Sequence, residues 1–394
     1  MILRDVVEFC EKGVNIEKSL IGDVMYIPSG AVFPEFIKKD KCYKIVSETS
    51  KIKSDYFLKN GDVLFNTGGV GTLGRVGFYN LSTKAVCDPF VLILRGKEGV
   101  LDNRYLFYQL QSNRIKDLIF KNTVGSTGIT SIKKSDILSF PIHLPTLATQ
   151  KRIAEILDAA DAVRRKDQEL LKKYNELAQA IFIDMFGDPV KNEKGWAKVE
   201  LSNFIARLET GVSVNSNDDK FDSIKKCVLK TSCVYTGYFN STEAKVIVPL
   251  DLIRAKLNPV KDSIIISRMN TSELVGMSAY IDNDYPNLYL PDRLWMTVKS
   301  DNPHSSLWLS FALKSFAIRE QIQKIASGTS GSMKNISKKS FLEIEIINPP
   351  YELQKSFEDA LKKINELKRS ADINKGNILF NSLIQKAFNG ELVS

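Results

Sequence analysis

Histidine is nearly missing from this chain of 394 residues, which has only His143 and His304. Its five cysteines, Cys10, Cys42, Cys87, Cys227 and Cys233, include no CxxC pair. A structural zinc site needs four such ligands at short spacings, so none is expected and the thiols read as reduced and buried. Long apolar runs are also lacking. Met1 to Gly13 carries Arg4, Asp5, Glu8 and Glu11 where a signal peptide needs an apolar core, so a cytoplasmic protein is expected. No HExxH, GxSxG or GxxxxGK[ST] pattern occurs, which leaves no convincing catalytic constellation and no helicase or ATPase.

What is present suits two domains, because the length exceeds that of one ordinary domain. Hydrophobic residues at 43% and charged residues at 26% exclude a disordered or fibrous class. Lys and Arg outnumber Asp and Glu by 55 to 46, and the resulting charge of +9 favours a polyanionic partner, nucleic acid or an anionic membrane.

The chain repeats itself at a period of about 204 residues. Tyr105-Leu-Phe-Tyr-Gln-Leu-Gln-Ser112 aligns with Trp308-Leu-Ser-Phe-Ala-Leu-Lys-Ser315, a short amphipathic helix in each half. Gly125-Ser-Thr-Gly128 aligns with Gly328-Thr-Ser-Gly331, and Lys133-Lys-Ser135 with Lys338-Lys-Ser340. An apolar run and a proline follow in both, Ile142 to Pro145 and Ile344 to Pro350. Then both copies turn helical, Gln150-Lys151 matching Gln354-Lys355. The shared order points to one duplicated unit.

The helical segments show steps of three and four residues, the spacing of a coiled-coil seam. The first runs through Ile153, Ile156, Ala160, Val163, Asp167, Leu170, Tyr174, Leu177 and Ile181. The second runs through Leu353, Phe357, Ala360, Ile364, Leu367, Ala371, Asn374 and Ile378. Asp167 and Asn374 are single polar positions of the kind that fixes register, so the two helices are expected to pair; each packing on its own domain is the alternative. Gly376 is expected to fray or kink the second helix, at about 1 kcal/mol relative to Ala. The stretches 1–145 and 190–348 mix short strand-like runs with turns, including Asp62-Val-Leu-Phe65, Asp262-Ser-Ile-Ile-Ile266, Cys227-Val-Leu229 and Val246-Ile-Val248. Gly187-Asp-Pro189 ends the first long helix.

Two motifs raise an adenine methyltransferase: Gly69-Val-Gly-Thr-Leu-Gly74 spells GxGxxG, and Asn348-Pro-Pro-Tyr351 spells NPPY. A cofactor-binding glycine loop must open a helix, whereas Arg75-Val-Gly-Phe-Tyr79 reads as a returning strand, so the glycines read as a hairpin loop. The second copy, Ser267 to Gly276, lacks the glycine pattern. NPPY sits where the first copy has His143-Leu-Pro145, a lead into a helix.

Two different globular units, each followed by a long helix reached through a proline and a Gln-Lys step, resemble the specificity subunits of Type I restriction-modification systems. The matching segments are Leu144 to Leu157, Met185-Phe-Gly-Asp-Pro189, Phe380 to Leu392, Val228 to Gly237 and Asp62 to Gly77. They span essentially the whole chain, although Tyr26 to Val32 only loosely echoes 228–234. The resemblance implies an α+β fold: two globular target recognition domains of mixed, mostly antiparallel sheet with helices, separated by two long helices forming an antiparallel coiled coil. The domains are then 1–145 and 190–348, and the helices 146–187 and 349–394. It also implies a pseudo-twofold circular arrangement, a non-catalytic chain that reads an asymmetric bipartite site on double-stranded DNA, and docking of two modification subunits and of restriction subunits. S-adenosylmethionine would be carried by the modification subunit, with no cofactor or metal in this chain.

Under that resemblance, polar loop residues supply phosphate and base contacts. In the first domain these are Asn66, Thr67, Arg75, Lys121, Asn122, Thr127, Thr130 and Lys133. In the second they are Asn215, Asn217, Lys230, Thr231, Arg268, Asn270, Thr329, Lys334, Asn335 and Lys338. Lysines suit phosphate, while Arg75, Arg268, Asn270 and Asn335 suit bases. Lys151, Arg152, Arg164, Arg165 and Lys166 on the first long helix are placed to meet the DNA spacer or to solubilise the helix. The alternatives are an adenine-specific DNA methyltransferase, a stand-alone DNA-binding protein and a coiled-coil adaptor.

Overall fold

The computed structural model describes residues 1–19, 21–34, 36–46, 52–69, 71–124, 130–189, 191–217, 221–328, 333–370 and 375–392. The chain divides into two units: unit 1 joins Met1–Leu171 to Asp372–Ser394, and unit 2 is Lys172–Ala371.

Unit 1 begins with α1 (Leu3–Val6) and strands β1 (Val7–Lys12), β2 (Val24–Ile27), β3 (Tyr43–Ile45), β4 (Val63–Asn66), β5 (Val76–Phe78), β6 (Ala85–Cys87) and β7 (Val91–Gly96). The run Val63–Asn66 is buried throughout because it lies between two neighbours in the antiparallel order β1-β7-β4-β5. A second sheet has the order β3-β2-β6, with β2 parallel to β6. Beside the first sheet, Asp62 and Arg95 form a buried ion pair at 2.6 Å, and Arg95 also donates to the carbonyls of Asp55 and Phe57. Helices α2 (Asn103–Gln109), α3 (Asn113–Asn122) and α4 (Lys134–Leu138) follow. Asp102 caps α2 by accepting from the Tyr105 N–H at 2.8 Å. The 40-residue α5 (Leu147–Phe186) then gives its first part to unit 1 and its second to unit 2. Gly187, at φ +77°, donates its N–H to the Ile183 carbonyl and closes the helix.

Unit 2 repeats this plan. Its strands are β8 (Lys198–Glu200), β9 (Ile205–Thr210), β10 (Cys227–Leu229), β11 (Ala244–Val246), β12 (Ile264–Ser267), β13 (Met269–Asn270), β14 (Ser278–Tyr280), β15 (Leu288–Tyr289), β16 (Leu294–Lys299), β17 (Lys334–Asn335) and β18 (Glu345–Ile347). The order β9-β16-β12-β14 matches β1-β7-β4-β5, and β11-β10-β15 matches β3-β2-β6 down to one parallel pair, β10 with β15. The strand expected at Val246–Val248 lies two residues earlier, at β11. Helices α6 (Ser306–Ala312), α7 (Phe316–Ile325) and α8 (Lys338–Leu342) correspond to α2, α3 and α4, and Ser305 caps α6. Even the turn glycines correspond. Gly74 and Gly276 have φ near +72° and +73°, and a Cβ on either would press into Ile119 of α3 or Ile322 of α7.

The helix expected over 349–394 is described as two segments, α9 (Tyr351–Ser370) and α10 (Lys375–Phe388). Within unit 2, Phe182 and Phe186 meet Phe357 edge to face, while Asn175 meets Lys368, so α5 and α9 run antiparallel. Within unit 1, the Arg164 guanidinium lies 4.7 Å from the Phe380 ring, and Phe388 packs on Tyr105, whose hydroxyl bonds the carbonyl of His143 just ahead of α5. This pair is also antiparallel.

The buried stripe differs from the expected seam. Ile153, Ala160, Phe357 and Ile364 are buried, and Ile156, Leu170, Tyr174 and Ala360 are half-buried. Val163, Leu177, Leu367 and Ile378 are instead 47%, 46%, 50% and 68% exposed, and Ala154, Leu157, Asp161, Ala178, Phe182 and Leu361 are buried. The reason is packing on two sides: in each unit α5 contributes to one core with both a partner helix and the helices of the globular part, which rotates and widens its apolar face. Ala371 and Asn374 lie outside the described residues. Gly376, expected to fray or kink the helix, stands in the first turn of α10. It is buried, and a Cβ there would lie 3.0 Å from the Arg164 Cα and 2.4 Å from an Asp167 carboxylate oxygen, so the glycine permits close helix approach.

Candidate nucleic-acid interface

In unit 2 the chain leaves β10 through a 3-10 turn, Thr231–Val234, and this turn meets the short β13–β17 ribbon. The Thr231 Oγ1 lies 2.8 Å from the Tyr235 hydroxyl, which accepts from Asn270 Nδ2 at 2.7 Å. Asn270 Nδ2 is also 3.4 Å from Ser267 Oγ. Across the ribbon Asn270 faces Lys334 and Met269 faces Asn335. Lys334 Nζ donates to the Gly328 carbonyl at 2.8 Å, and Lys230 lies 3.7 Å from Glu243. Five expected residues, Thr231, Arg268, Asn270, Lys334 and Asn335, thus come together. Two of their buried atoms, Arg268 Nε and Asn335 Oδ1, have no hydrogen-bond partner among the described residues. An unmet buried donor or acceptor costs about 1–3 kcal/mol, a cost that a bound polar ligand removes. Asn and Arg side chains in such a place can match the donor and acceptor edges of bases.

Other expected residues of unit 2 stand apart. Asn215 and Asn217 are exposed, tied by backbone N–H groups to Asp251 and to Val246. Lys338 donates to the Leu208 carbonyl at 2.6 Å and so also anchors the fold. Thr329 lies outside the described residues. Sequence reasoning missed Tyr235 and Ser267, although Tyr235 lies in the Val228–Gly237 segment that carried the resemblance.

In unit 1 two expected contacts are corrected. Asn66 and Thr67 are buried; Asn66 Nδ2 donates to the Ser29 carbonyl at 2.8 Å and Thr67 Oγ1 to the Phe90 carbonyl at 3.0 Å. Both side chains fasten neighbouring loops to the β4–β5 hairpin. Gly69, Gly71 and Gly74 fall between these antiparallel strands, so the GxGxxG stretch is a hairpin connection. Arg75 donates to the Gly71 carbonyl at 2.6 Å and lies 4.6 Å from the Phe33 ring. Bridges from Ser131 to Gly68 and Val124 bring Thr130 and Lys133 beside the same hairpin. Lys121 and Asn122 are exposed at the end of α3, with Asn122 Nδ2 bonded to the Leu118 carbonyl. Thr127 lies outside the described residues. Exposed Phe90, beside Gly68, was missed. On α5, Lys151, Arg152 and Lys166 are exposed, while Arg165 pairs with Asp161 at 3.2 Å.

Among the described residues no His, Cys, Asp and Glu cluster is placed to hold a metal, and no helix is long and apolar enough to cross a membrane. In the NPPY stretch the Asn348 N–H donates to the Ala197 carbonyl, the Pro349 carbonyl accepts from Gln354, and Tyr351 begins α9.

Residues 2–173 match the family model of the Type I restriction modification DNA specificity domain. Those residues belong to that domain family. The likeness to specificity subunits extends well beyond the domain. The chain is 23% identical over 368 residues to the Type I restriction enzyme MjaVIII specificity subunit of Methanocaldococcus jannaschii, covering 90% of this chain and 82% of that one. It is 21% identical over 376 residues to the EcoKI specificity subunit of Escherichia coli K12, covering 89% and 77%. The crystal structure of the Type I restriction-modification S subunit from M. genitalium shares the fold, with a TM-score of 0.57 over 98% of this chain and 95% of that one, at 16% identity. The resemblance read from the sequence to Type I specificity subunits therefore holds, and with it the α+β class.

Proposed function

We propose that this chain is the DNA sequence-recognition subunit of a Type I restriction-modification complex and that its two units read different halves of an asymmetric, bipartite target. The observation that carries this reading is the duplication. Both units have the same sheet order, yet the loops at corresponding positions hold different side chains: Thr231, Tyr235 and Asn270 in one, Ser29, Phe33 and Gly69 in the other. One scaffold with two sets of loop chemistry suits two short, different half-sites. The first domain is assigned to 1–145, the second to 190–348, and the helical segments between and after them to spacing the readers. At 1.5 Å per residue a helix of about 40 residues is about 60 Å long, enough to separate readers by one DNA turn of about 34 Å.

The residues proposed to face DNA are Arg75, Lys121, Asn122, Thr130 and Lys133 in unit 1. In unit 2 they are Lys230, Thr231, Tyr235, Arg268, Asn270, Lys334 and Asn335, with Asn215, Asn217 and Lys338 as outlying contacts. Type I specificity subunits recognise rather than catalyse. The chemistry is assigned to two docked modification subunits carrying S-adenosylmethionine and to restriction subunits, in the cytoplasm. The test is to co-express the chain with its modification partner and to map methylated adenines, with a second strain in which 190–348 is exchanged for another such domain. A bipartite motif altered in one half by the exchange is the expected result. Methylation that does not depend on the chain would overturn the proposal.

A further inference from the structure

Two lysines of unit 2, Lys314 just after α6 and Lys368 near the end of α9, converge on one tyrosine. Their ammonium nitrogens lie 4.9 and 5.1 Å from the centre of the Tyr238 ring. Lys368 Nζ donates to Asn175 Oδ1 at 2.8 Å, and the Tyr238 hydroxyl donates to the same oxygen at 2.8 Å. Among the described residues neither ammonium group has a carboxylate partner, and Lys368 is a charge that acts on Lys314. Burial, and after it the neighbouring Lys368, push Lys314 down to about 8; burial lowers Lys368 as well. Two like charges brought near each other and partly withdrawn from water oppose folding. The aromatic face and one amide oxygen offset this only in part. Among the described residues the cluster lacks an anion.

Its position indicates which anion. Tyr238 lies three residues beyond Tyr235, whose hydroxyl joins Thr231 and Asn270, so one loop carries both the base-facing polar groups and the floor of the cation pair. We propose that Lys314 and Lys368 together seat one backbone phosphate of the DNA read by unit 2, with Tyr238 beneath them and Asn175 orienting Lys368. The two lysines approach from α6 and α9, so the phosphate sits where the recognition loop of this unit meets its helices. Among the described residues unit 1 has no copy of the seat. The position of Lys314 is held there by Gln111, whose Nε2 donates to the Phe107 carbonyl. The seat therefore registers only the half-site read by unit 2.

This inference rests on the DNA-reading proposal above, and its test separates the two. The full chain is titrated with a fluorescent random-sequence duplex of about 40 base pairs over about 50 to 300 mM salt, following anisotropy. Relative to wild type, K314M/K368M is expected to bind about tenfold more weakly at the lowest salt and to lower the log–log salt slope by about 1. K339M, which removes an exposed lysine paired with Glu343, is expected to change neither. K368R retains a cation and is expected to keep the wild-type slope. The double variant is also expected to melt no lower than wild type, because its substitutions relieve repulsion, whereas loss of a purely structural cluster would lower the melting temperature. Duplex binding by wild type with an unchanged slope in K314M/K368M would overturn the seat alone. That result together with lost co-purification of the modification subunit would assign the lysines to a protein carboxylate instead. Absence of salt-dependent duplex binding by wild type would overturn the DNA-reading proposal and the seat with it.

Discussion

At the scale of single residues, glycine and glutamate positions make the sharpest predictions. A Cβ on Gly276 would lie 2.4 Å from Ile322 Cγ2, at a φ of +73° that L residues rarely adopt. G276A is therefore expected to destabilise the protein by about 1–3 kcal/mol in chemical denaturation. Ile322→Ala should cost less in that background than alone, a coupling that a double-mutant cycle measures. Glu358 predicts acid behaviour. Burial by itself would raise this carboxyl, but hydrogen bonds from Lys362, Ser305 and Lys355 outweigh it and hold the group at about 2. A folded-state value below the unfolded one, about 4.3, gives stability that is fully present above that value and lost as pH falls towards 2. Denaturation midpoints of wild type should thus drop across this window, and E358Q should flatten the drop. Equal slopes in both proteins would refute the assignment.

At the scale of elements, each long helix is fixed at its start by a buried glutamine. Gln150 Oε1 accepts from the Asp102 N–H, and its Nε2 donates to the carbonyls of Val100 and Pro145, all at 2.9 Å. Gln354 repeats this with Ser305 at 3.1 Å and Pro349 at 2.9 Å. One amide therefore joins the first turn of α5 or α9 to the segment before α2 or α6. Q150A strands more groups than Q354A and is expected to cost about 2–4 kcal/mol, with Q354A somewhat less. Unfolding free energies from urea titration within about 0.5 kcal/mol of wild type would refute the clamp. The Gln-Lys step was legible in the sequence as a repeated signature, as were β4, β10 and β12, because apolar runs bounded by turn residues have few other uses. The helix stripe was only partly legible. Spacing of three and four fits Val163 and Leu177 as well as Leu157 and Ala178, and only the tertiary surroundings choose between them. Asn66 and Thr67 show the same limit, since a polar residue beside a turn looks alike whether it faces a ligand or fastens a neighbouring loop.

At the scale of the whole molecule, duplication separates the consequences of mutation. N270A removes the amide that joins Tyr235 to the β13–β17 ribbon. With a modification partner present, it is expected to relax one half of the methylated motif by about 1–3 kcal/mol in discrimination while leaving the other half strict. Relaxation of both halves in methylation mapping would show that the units do not read independently. The repeat order and the two-unit plan were visible in the sequence because whole segments recur; the ribbon pairing was not, since β13 and β17 are two residues each and over sixty residues apart.

The chain path of unit 1 also bears on how the protein is made. Its core includes Phe380, Ile384 and Phe388, which leave the ribosome only after all of unit 2 has been synthesised. At elongation rates of about 5–20 residues per second, the roughly 200 intervening residues take about 10–40 s. Throughout that interval the nascent chain carries Ile153, Leu157 and Ala160 without the α10 side chains that complete their core, so N-terminal fragments from interrupted translation should be natural clients for chaperones and proteases.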